Sequence, residues 1–297
     1  MRFLVAGASG FLGGAWARAL AGHGHDVVRL VRREPTGPDE VRWDPARGGV
    51  DRSVVESADV VANLAGAPLV HVPWNDAYRR AFTASRVDTT RTLAEAVARS
   101  ERKPALLAQS GIAAYGDRGG AVLTEESPVD AATFMGDVVR RWEAATDPAR
   151  DAGARVALMR TSVVLDRSGG ALPAMLLPFR LGLGGKIGNG RQFFATISLD
   201  DWLGAATFLA YNELSGPFNL TGPEPSTNAE FTRALGEALR RPAVLRVPTL
   251  PLRASTLVGP IGGELLASQR LEPARLQEAG YAFAHNDIHD RLAAALR

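Results

Sequence analysis

A glycine-rich turn, Gly7-Ala-Ser-Gly10-Phe-Leu-Gly13, stands directly between an apolar run, Arg2–Ala6, and a helical pattern over Phe11–Ala21. That placement constrains the chain more than any other feature, because glycines between a first strand and a first helix form a phosphate-binding turn. Gly7 permits the tight turn, Gly10 lets backbone approach a diphosphate, and Gly13 lets the helix pack closely on the strand. The helix start then offers free N–H groups and the positive end of its dipole. The spacing is G-x-x-G-x-x-G. A tight βα turn that binds nothing is the alternative reading.

The next 150 residues repeat the pattern of short β-branched run and longer helix. Strands are expected at Val27–Val31, Asp59–Leu64, Ala105–Ser110 and Arg155–Leu158, the last continuing through Val163–Leu165. Helices are expected at Asn75–Ser100, with Val87, Leu93 and Val97 on one face, and at Asp137–Asp151, with Val138, Trp142 and Ala145 at helical spacing. This alternation is the signature of an α/β fold with a Rossmann-type, doubly wound parallel sheet. Beyond residue 165 glycine and proline cluster in 168–190, and short helices follow, marked by Phe231, Leu235 and Leu239 and by Ile288, Leu292 and Leu296. The expected organisation is a Rossmann domain over 1–165, open to taking in parts of 190–222, and a smaller mixed α/β lobe over 166–297.

Composition excludes several classes. No window reaches the roughly 18 uninterrupted apolar residues of a membrane span. The opening MRFLVAGASGFLGG has its only early positive charge at Arg2 and is broken by glycines, so it reads as strand and turn rather than signal peptide. Without cysteine there is neither a disulfide framework nor a thiolate metal site, and the expected location is cytoplasmic. The 34 basic and 32 acidic residues are interspersed, which speaks against a nucleic-acid partner.

The end of the second strand selects the dinucleotide. NAD-binding folds place an acid there to accept from the ribose 2′-hydroxyl. Here Val31 is followed by Arg32-Arg33, suited to a 2′-phosphate, with Glu34 as the competing acid one residue further on. The expected cofactor is NADP(H).

GASGFLG (7–13), Asn63-Leu-Ala-Gly66 and Ser110-Gly111 with Tyr115-Gly116 resemble the extended short-chain dehydrogenases/reductases. More narrowly, SRVDTTRTL (85–93), RRWE (140–143), LMRTSVVL (158–165), FRLGLGGKIGNGRQ (179–192) and LDD (199–201) resemble the epimerase-like subgroup often called YfcH/SDR39U1. The segment 244–291 is similar to that subgroup's C-terminal domain of unknown function. The family's name implies sugar-nucleotide epimerisation, by analogy with the superfamily. The resemblance implies that Ser9, Gly10, Phe11 and Leu12 cradle the diphosphate and that Arg32, with Arg33, holds the 2′-phosphate. It implies that Leu64, Ala65 and Gly66 line the adenosine and ribose. Ser110 and Gly111 would then flank the nicotinamide, and Thr161, Ser162 and Val163 would lie beside its carboxamide. Asn63 as a strand cap and Ser110 as a turn residue are the plainer alternatives.

The superfamily's chemistry uses a Tyr-x-x-x-Lys pair, in which lysine favours the tyrosinate and grips the ribose. Four residues beyond Tyr78, Tyr115, Tyr211 and Tyr281 stand Phe82, Gly119, Ser215 and His285, so no such pair exists. Phe134 and Val138 take the usual places. The two lysines, Lys103 and Lys186, do not substitute: the first precedes its strand, the second lies in the glycine-rich loop. Thr196 and Ser198 also stand where the subgroup leads one to expect Trp and His.

Ser110 and Tyr115 are therefore the catalytic candidates, with Glu143 a weaker one, and Arg86, Arg160, Lys186 and Gln192 are candidates for reaching a substrate. Arg160 closes a strand and has an ion pair as its alternative. His285 and His289 stand at i, i+4 without a third ligand, so no metal is expected. The expected function is an NADP(H)-binding oxidoreductase or epimerase-like protein acting on an unidentified small polar substrate with a non-standard proton donor. A catalytically silent NADP(H)-binding sensor or scaffold is the alternative. No membrane partner is expected, and a homodimer is left open.

Overall fold

Phe3 and Val5 point to one face of their strand and Leu4 and Ala6 to the other, and all four are buried. A strand that is apolar on both faces belongs in a sheet covered on both sides. The computed structural model, which describes residues 1–47, 49–254 and 259–297, has that sheet. Its strands are β1 (Arg2–Ala6), β2 (Asp26–Val31), β3 (Glu40–Arg42), β4 (Val60–Asn63), β5 (Ala105–Gly111), β6 (Val156–Thr161) and β7 (Gly216–Leu220). All pair in parallel, in the order β3-β2-β1-β4-β5-β6-β7. The order reverses at β1, so a crevice opens between the ends of β1 and β4, where ligands of such sheets bind.

Two helices cover one face: α1 (Phe11–Gly22) and, further along, Leu199–Tyr211, which bring Trp16, Leu20, Trp202 and Leu209 onto Phe3, Val5, Leu107 and Met159. On the other face α2 (Asp76–Arg99) lays Leu93 and Val97 against Leu4, Val61 and Leu106. The side chain of Asn75 caps α2 by accepting the Tyr78 N–H at 2.8 Å.

Three expectations change. The run expected to continue β6 leaves the sheet after Ser162, Val163 donating its N–H to Ala195 O at 3.2 Å instead of to β7. Val163–Asp166 then pairs with Thr196–Ser198 and Gly169–Gly170 in a separate small sheet. The helix expected over Asp137–Asp151 is two: α3 (Phe134–Ala144), capped by Thr133, and Asp147–Asp151, separated at Ala145-Thr146. Pro148, which cannot donate to a preceding carbonyl, is tolerated because it falls in the first turn of the second helix. Residues 168–190 do not hold Lys186 in a loop. They contain α4 (Leu172–Arg180), with Leu172, Leu176 and Phe179 buried, and the strand Gly185–Ile187, which pairs with Leu245–Val247.

The second half of the chain is stabilised by its own core. Leu172, Leu176 and Phe179 pack with Phe231 and Leu235 of α5 (Asn228–Leu239) and with Ile288 and Leu292 of α6 (Ile288–Ala295). Capping at Thr227–Glu230 satisfies the free donors of α5 reciprocally, the hydroxyl accepting from Glu230 N and the carboxylate from Thr227 N. Residues 255–258 of the segment 244–291 lie outside the described residues.

Candidate functional site

The glycine turn is closed by contacts that exclude any side chain. A Cβ on Gly7 would stand 2.5 Å from Leu64 C and O, and one on Gly13 would stand 2.3 Å from Gly7 O. Gly7 has φ +82°, a region that L side chains rarely adopt. The turn folds on itself through Gly10 N donating to Gly7 O at 2.9 Å. The helix behind it begins at Gly10 with no side-chain cap and no acid in its first turn. Its leading N–H groups are therefore left for a ligand, and anions are favoured there. Ser9 and Gly10 are exposed at the mouth, Phe11 and Leu12 are half-buried, and the Phe11 ring packs against Gly169.

Opposite the turn, Asn63 fixes the loop after β4. Fully buried, it donates to Thr89 Oγ1 (3.1 Å) and Thr90 Oγ1 (2.7 Å) of α2 and accepts from Ala65 N at 3.1 Å. Leu64, Ala65 and Gly66 are thereby held against Gly7.

At the end of β2 the charges sort themselves. Arg33 does not face the crevice: its guanidinium forms a two-pronged pair with Glu40, at 2.8 and 2.7 Å. Hydrogen bonds from Arg33 and Thr36 hold the Glu40 carboxyl well below the usual range, at about 2. Glu34 pairs with Arg42. Arg32 is exposed and, among the described residues, has no hydrogen-bond or ion-pair partner. Of the two arginines expected at a 2′-phosphate, Arg32 alone is available, and the competing acid is engaged.

The far end of the crevice is built differently from the expectation. Ser110 donates to Glu143 Oε1 at 2.6 Å, and Arg160 grips both carboxylate oxygens of Glu143, from Nε and Nη2, at 2.8 Å each. Arg160 Nη1 also donates to the Tyr115 hydroxyl (3.0 Å), which itself donates to Asn219 Oδ1 at 2.6 Å. Asn219 N donates to Glu125 Oε1 at 2.8 Å. Ser110, Glu143, Arg160, Tyr115 and Asn219 thus form one chain of hydrogen bonds between β5, α3, β6 and β7. Burial works against the Arg160 charge, yet Glu143 holds the guanidinium above its ordinary value. Burial pushes the Tyr115 hydroxyl up, with Arg160 pulling the other way.

This arrangement corrects three readings. Tyr115 is 0% exposed. Arg160 is 4% exposed and serves the ion pair instead of reaching a substrate. Glu143, paired through both oxygens, is not a free base. Thr161 and Ser162 are likewise engaged, Thr161 Oγ1 accepting from Trp202 Nε1 (3.0 Å) and Ser162 Oγ donating to Leu220 O (3.0 Å). Val163 pairs with Thr196, and Gly111 faces Val139 of α3.

Phe134 and Val138, at the places expected for the superfamily's tyrosine and lysine, belong to an apolar wall. Val138, Phe82, Trp74 and Met135 form one buried cluster with Phe134 against it, and Ile261 of the C-terminal segment joins from outside. Phe134 takes Trp74 edge-on at 6.2 Å. Arg86 lies on this wall, its Cζ 3.6 Å from the Phe82 ring centre. A second cleft, of about 560 Å³, opens between the loop after Tyr115 and the C-terminal lobe, lined by Asp117, Arg191, Gln192, Phe193, Arg246 and Ser268. Gln192 donates there to Ile187 O at 3.2 Å, while exposed Lys186 sits in register with Arg246. Lys103 is remote, donating to Ala98 O and Ser100 O at the end of α2. His285 is not on a helix with His289. It precedes α6 and meets Ser198 Oγ at 2.9 Å beside Asp201, while His289 lies near Glu237. No cluster suited to a metal ion occurs among the described residues.

Comparison with known proteins fixes the family. Residues 3–135 match the NAD dependent epimerase/dehydratase family, and residues 247–295 match a domain of unknown function (DUF1731). An epimerase family protein of Mycobacterium leprae is 40% identical over 98% of this chain and 94% of its own length. The chain belongs to this epimerase family. Among epimerase family members, mouse SDR39U1 is 38% identical over 98% of both chains. The crystal structure of human SDR39U1 (isoform 2) with NADPH superimposes with a TM-score of 0.89 at 34% identity, covering 99% of each chain. A nucleoside-diphosphate sugar epimerase from Corynebacterium glutamicum gives 0.81 at 35% identity, this chain spanning 58% of its length. No helix of this epimerase family member, among the described residues, is long and apolar enough to cross a membrane.

Sequence reasoning missed one participant and one buried acid outside the chain of hydrogen bonds. Asn219 is a polar residue inside the apolar strand run Gly216–Leu220, a visible anomaly. Glu264 lies one turn past Ile261, and burial pushes its carboxyl up to about 7. Nothing in its local sequence marks that burial.

Proposed function

We propose that this protein binds NADP(H) in the crevice between Gly7 and Leu64 and acts as an oxidoreductase or epimerase-like enzyme on a small polar substrate. The observation that carries the reading is the sorting of charge beyond β2: Glu34 and Glu40 are each paired, and Arg32, at the end of the strand next to β1, has no partner among the described residues. The human SDR39U1 structure with NADPH supports the same cofactor. Ser9 to Leu12 with the α1 N–H groups would hold the diphosphate, and Arg32 the 2′-phosphate.

NADPH, when bound, supplies a hydride. The chain must then supply a proton. Tyr115 is sealed in, and Glu143 is occupied by Arg160. One group remains as candidate, the Ser110 hydroxyl at the end of β5, whose proton is donated to Glu143 at 2.6 Å. The substrate would enter through the 560 Å³ cleft, whose arginines suit an anionic or polyhydroxyl molecule. The test is titration with NADPH and NADH, followed by quenching of tryptophan fluorescence. NADPH should bind roughly ten- to a hundredfold tighter, and equal affinities would refute the assignment.

A second reading, a catalytically silent NADP(H) sensor or scaffold in the same cytoplasmic setting, is favoured by a specific observation. Phe134 and Val138 are packed into an aromatic cluster that has no proton to give. Turnover of any carbonyl or sugar substrate by the NADPH-loaded protein decides between the two.

A further inference from the structure

Half of the large apolar side chains that stand exposed on this protein come from two short stretches of chain. Of fourteen such residues among those described, Leu177, Leu181 and Leu183 belong to α4 and the turn after it. Val244, Leu245, Val247 and Leu250 belong to the segment beyond α5. The two stretches lie side by side. Leu181 N donates to Leu177 O at 3.3 Å and Leu183 N to Pro178 O at 2.9 Å, which folds the turn back onto the helix. Leu245 N donates to Gly184 O at 3.2 Å, Gly185–Ile187 pairs with Leu245–Val247, and a Cβ on Gly182 would stand 3.7 Å from Pro242 Cγ.

The charge of this face is one-sided. Residues 167–199 hold three arginines, one lysine and no acid, and residues 238–263 hold four arginines and no acid. The balance of 34 basic against 32 acidic residues over the whole chain hides that separation. Elsewhere on the surface arginines stand against carboxylates, as Arg29, Arg33, Arg99 and Arg140 do. Arg180, Lys186, Arg240, Arg241 and Arg246 are exposed, and none has an ion-pair partner among the described residues.

The shape of the face selects what covers it. Leu177, Leu181, Val244 and Leu250 are 64%, 66%, 83% and 74% exposed. Side chains that protrude so far make no walls of a groove, so a partner's helix or strand has nothing to lie in. A second copy docked by two-fold symmetry would set the same unpaired cations against one another. Protruding leucines flanked by arginines suit a soft apolar phase with an anionic surface, the leucines entering the acyl boundary and the guanidinium groups meeting lipid phosphates.

We propose that this face, formed by the end of α4 and residues 240–250, seats the protein on an anionic lipid surface. Attachment of this kind needs no spanning helix. It departs from the expectation of no membrane partner, which followed from the lack of a spanning run and the balanced total charge. Ile187 and Arg246 also line the 560 Å³ cleft, so one wall of that cleft belongs to the seated face.

The test is flotation of the full chain with vesicles of phosphatidylcholine alone, and of phosphatidylcholine with about 30% phosphatidylserine, in about 0.1 M salt. The protein should float with the anionic vesicles and stay behind with the neutral ones. Arg180→Gln combined with Arg241→Gln should weaken the anionic binding roughly tenfold or more. Leu181→Ser combined with Val244→Ser should weaken it by a similar factor, roughly tenfold. All four side chains are exposed, so the melting temperature should hold in both variants. If the serine pair does not melt cooperatively, Leu177→Ala combined with Leu181→Ala carries the same comparison. No binding to anionic vesicles, or equal binding to both kinds, overturns the proposal. Binding that the serine pair leaves unchanged also overturns it, since that is diffuse attraction of a basic protein. Binding that the glutamine pair leaves unchanged overturns it as well, because the lipid is then met elsewhere. Capture by poly-L-glutamate without vesicle binding would assign the face to an acidic protein and overturn the lipid assignment.

Discussion

Arg160 closes a two-pronged ion pair on Glu143, 2.8 Å at each contact, with the two side chains 5% and 12% exposed. The pair ties α3 to β6 beside Ser110 of β5. Removing one partner leaves the other charge buried without compensation, which costs about 3–5 kcal/mol. Glu143→Ala should therefore lower the unfolding free energy by that amount, read from urea denaturation. Arg160→Met should be of similar severity because it strands the carboxylate. A loss under about 1 kcal/mol in both would mean that the pair is not structural.

Arg32 and Arg33 are adjacent in sequence and opposite in role. Arg32→Ala should weaken NADPH roughly ten- to a hundredfold and leave NADH nearly unchanged, since only the first carries a 2′-phosphate. Arg33→Ala should leave that preference intact, because its fork is spent on Glu40. A reversal, with Arg33→Ala abolishing the preference, would show that the Arg33–Glu40 pair opens when the cofactor binds.

The sequence carries the parallel sheet and the glycine turn plainly, because both depend on local pattern: apolar runs buried on two faces, and glycine where backbone must touch backbone. It shows Arg32-Arg33 but not which arginine is free, since that is decided by Glu40 on a neighbouring strand. It cannot show that Ser110, Tyr115, Glu143 and Arg160 bond to one another, because they come from four elements brought together by tertiary packing. The split at Ala145-Thr146 is similarly hidden, as helical periodicity continues across it. Ser198 acquires a reason only in three dimensions: it caps its helix, and its hydroxyl meets Asp201 and His285.

Glu264 gives the pH dependence. Burial raises its carboxyl from 4.5 to about 7 in the folded chain, so the folded state binds the proton more tightly than the unfolded state. Stability is then full below the unfolded value, falls as pH rises between about 4.5 and 7, and is flat beyond. The loss from this group is at most about 3 kcal/mol. Glu264→Gln removes the titration, so the variant should lose less stability than the unmutated chain between pH 5 and pH 8. Superimposable pH profiles would show that the Glu264 carboxyl is not desolvated in solution.

The last prediction concerns chemistry. A hydride delivered to a carbonyl leaves an alkoxide that must be protonated, and a positioned acid supplies roughly 10²–10⁴-fold of rate. Phe134 and Val138 hold no proton, Glu143 is held by Arg160, Tyr115 is buried with its hydroxyl donated to Asn219, and the one remaining hydroxyl, that of Ser110, is buried and donated to Glu143. Turnover of UDP-glucose, UDP-galactose and GDP-mannose should therefore lie far below the median enzyme rate of about 10 s⁻¹, even in protein saturated with NADPH. Tyr115→Phe discriminates further. If the hydroxyl only links Arg160 to Asn219, its removal should cost about 1–3 kcal/mol of stability and leave the rate on any accepted substrate unchanged. If instead Tyr115→Phe abolishes turnover while the protein still melts cooperatively and binds NADPH, the hydroxyl reaches substrate, and the buried chain from Ser110 to Asn219 must open during the reaction.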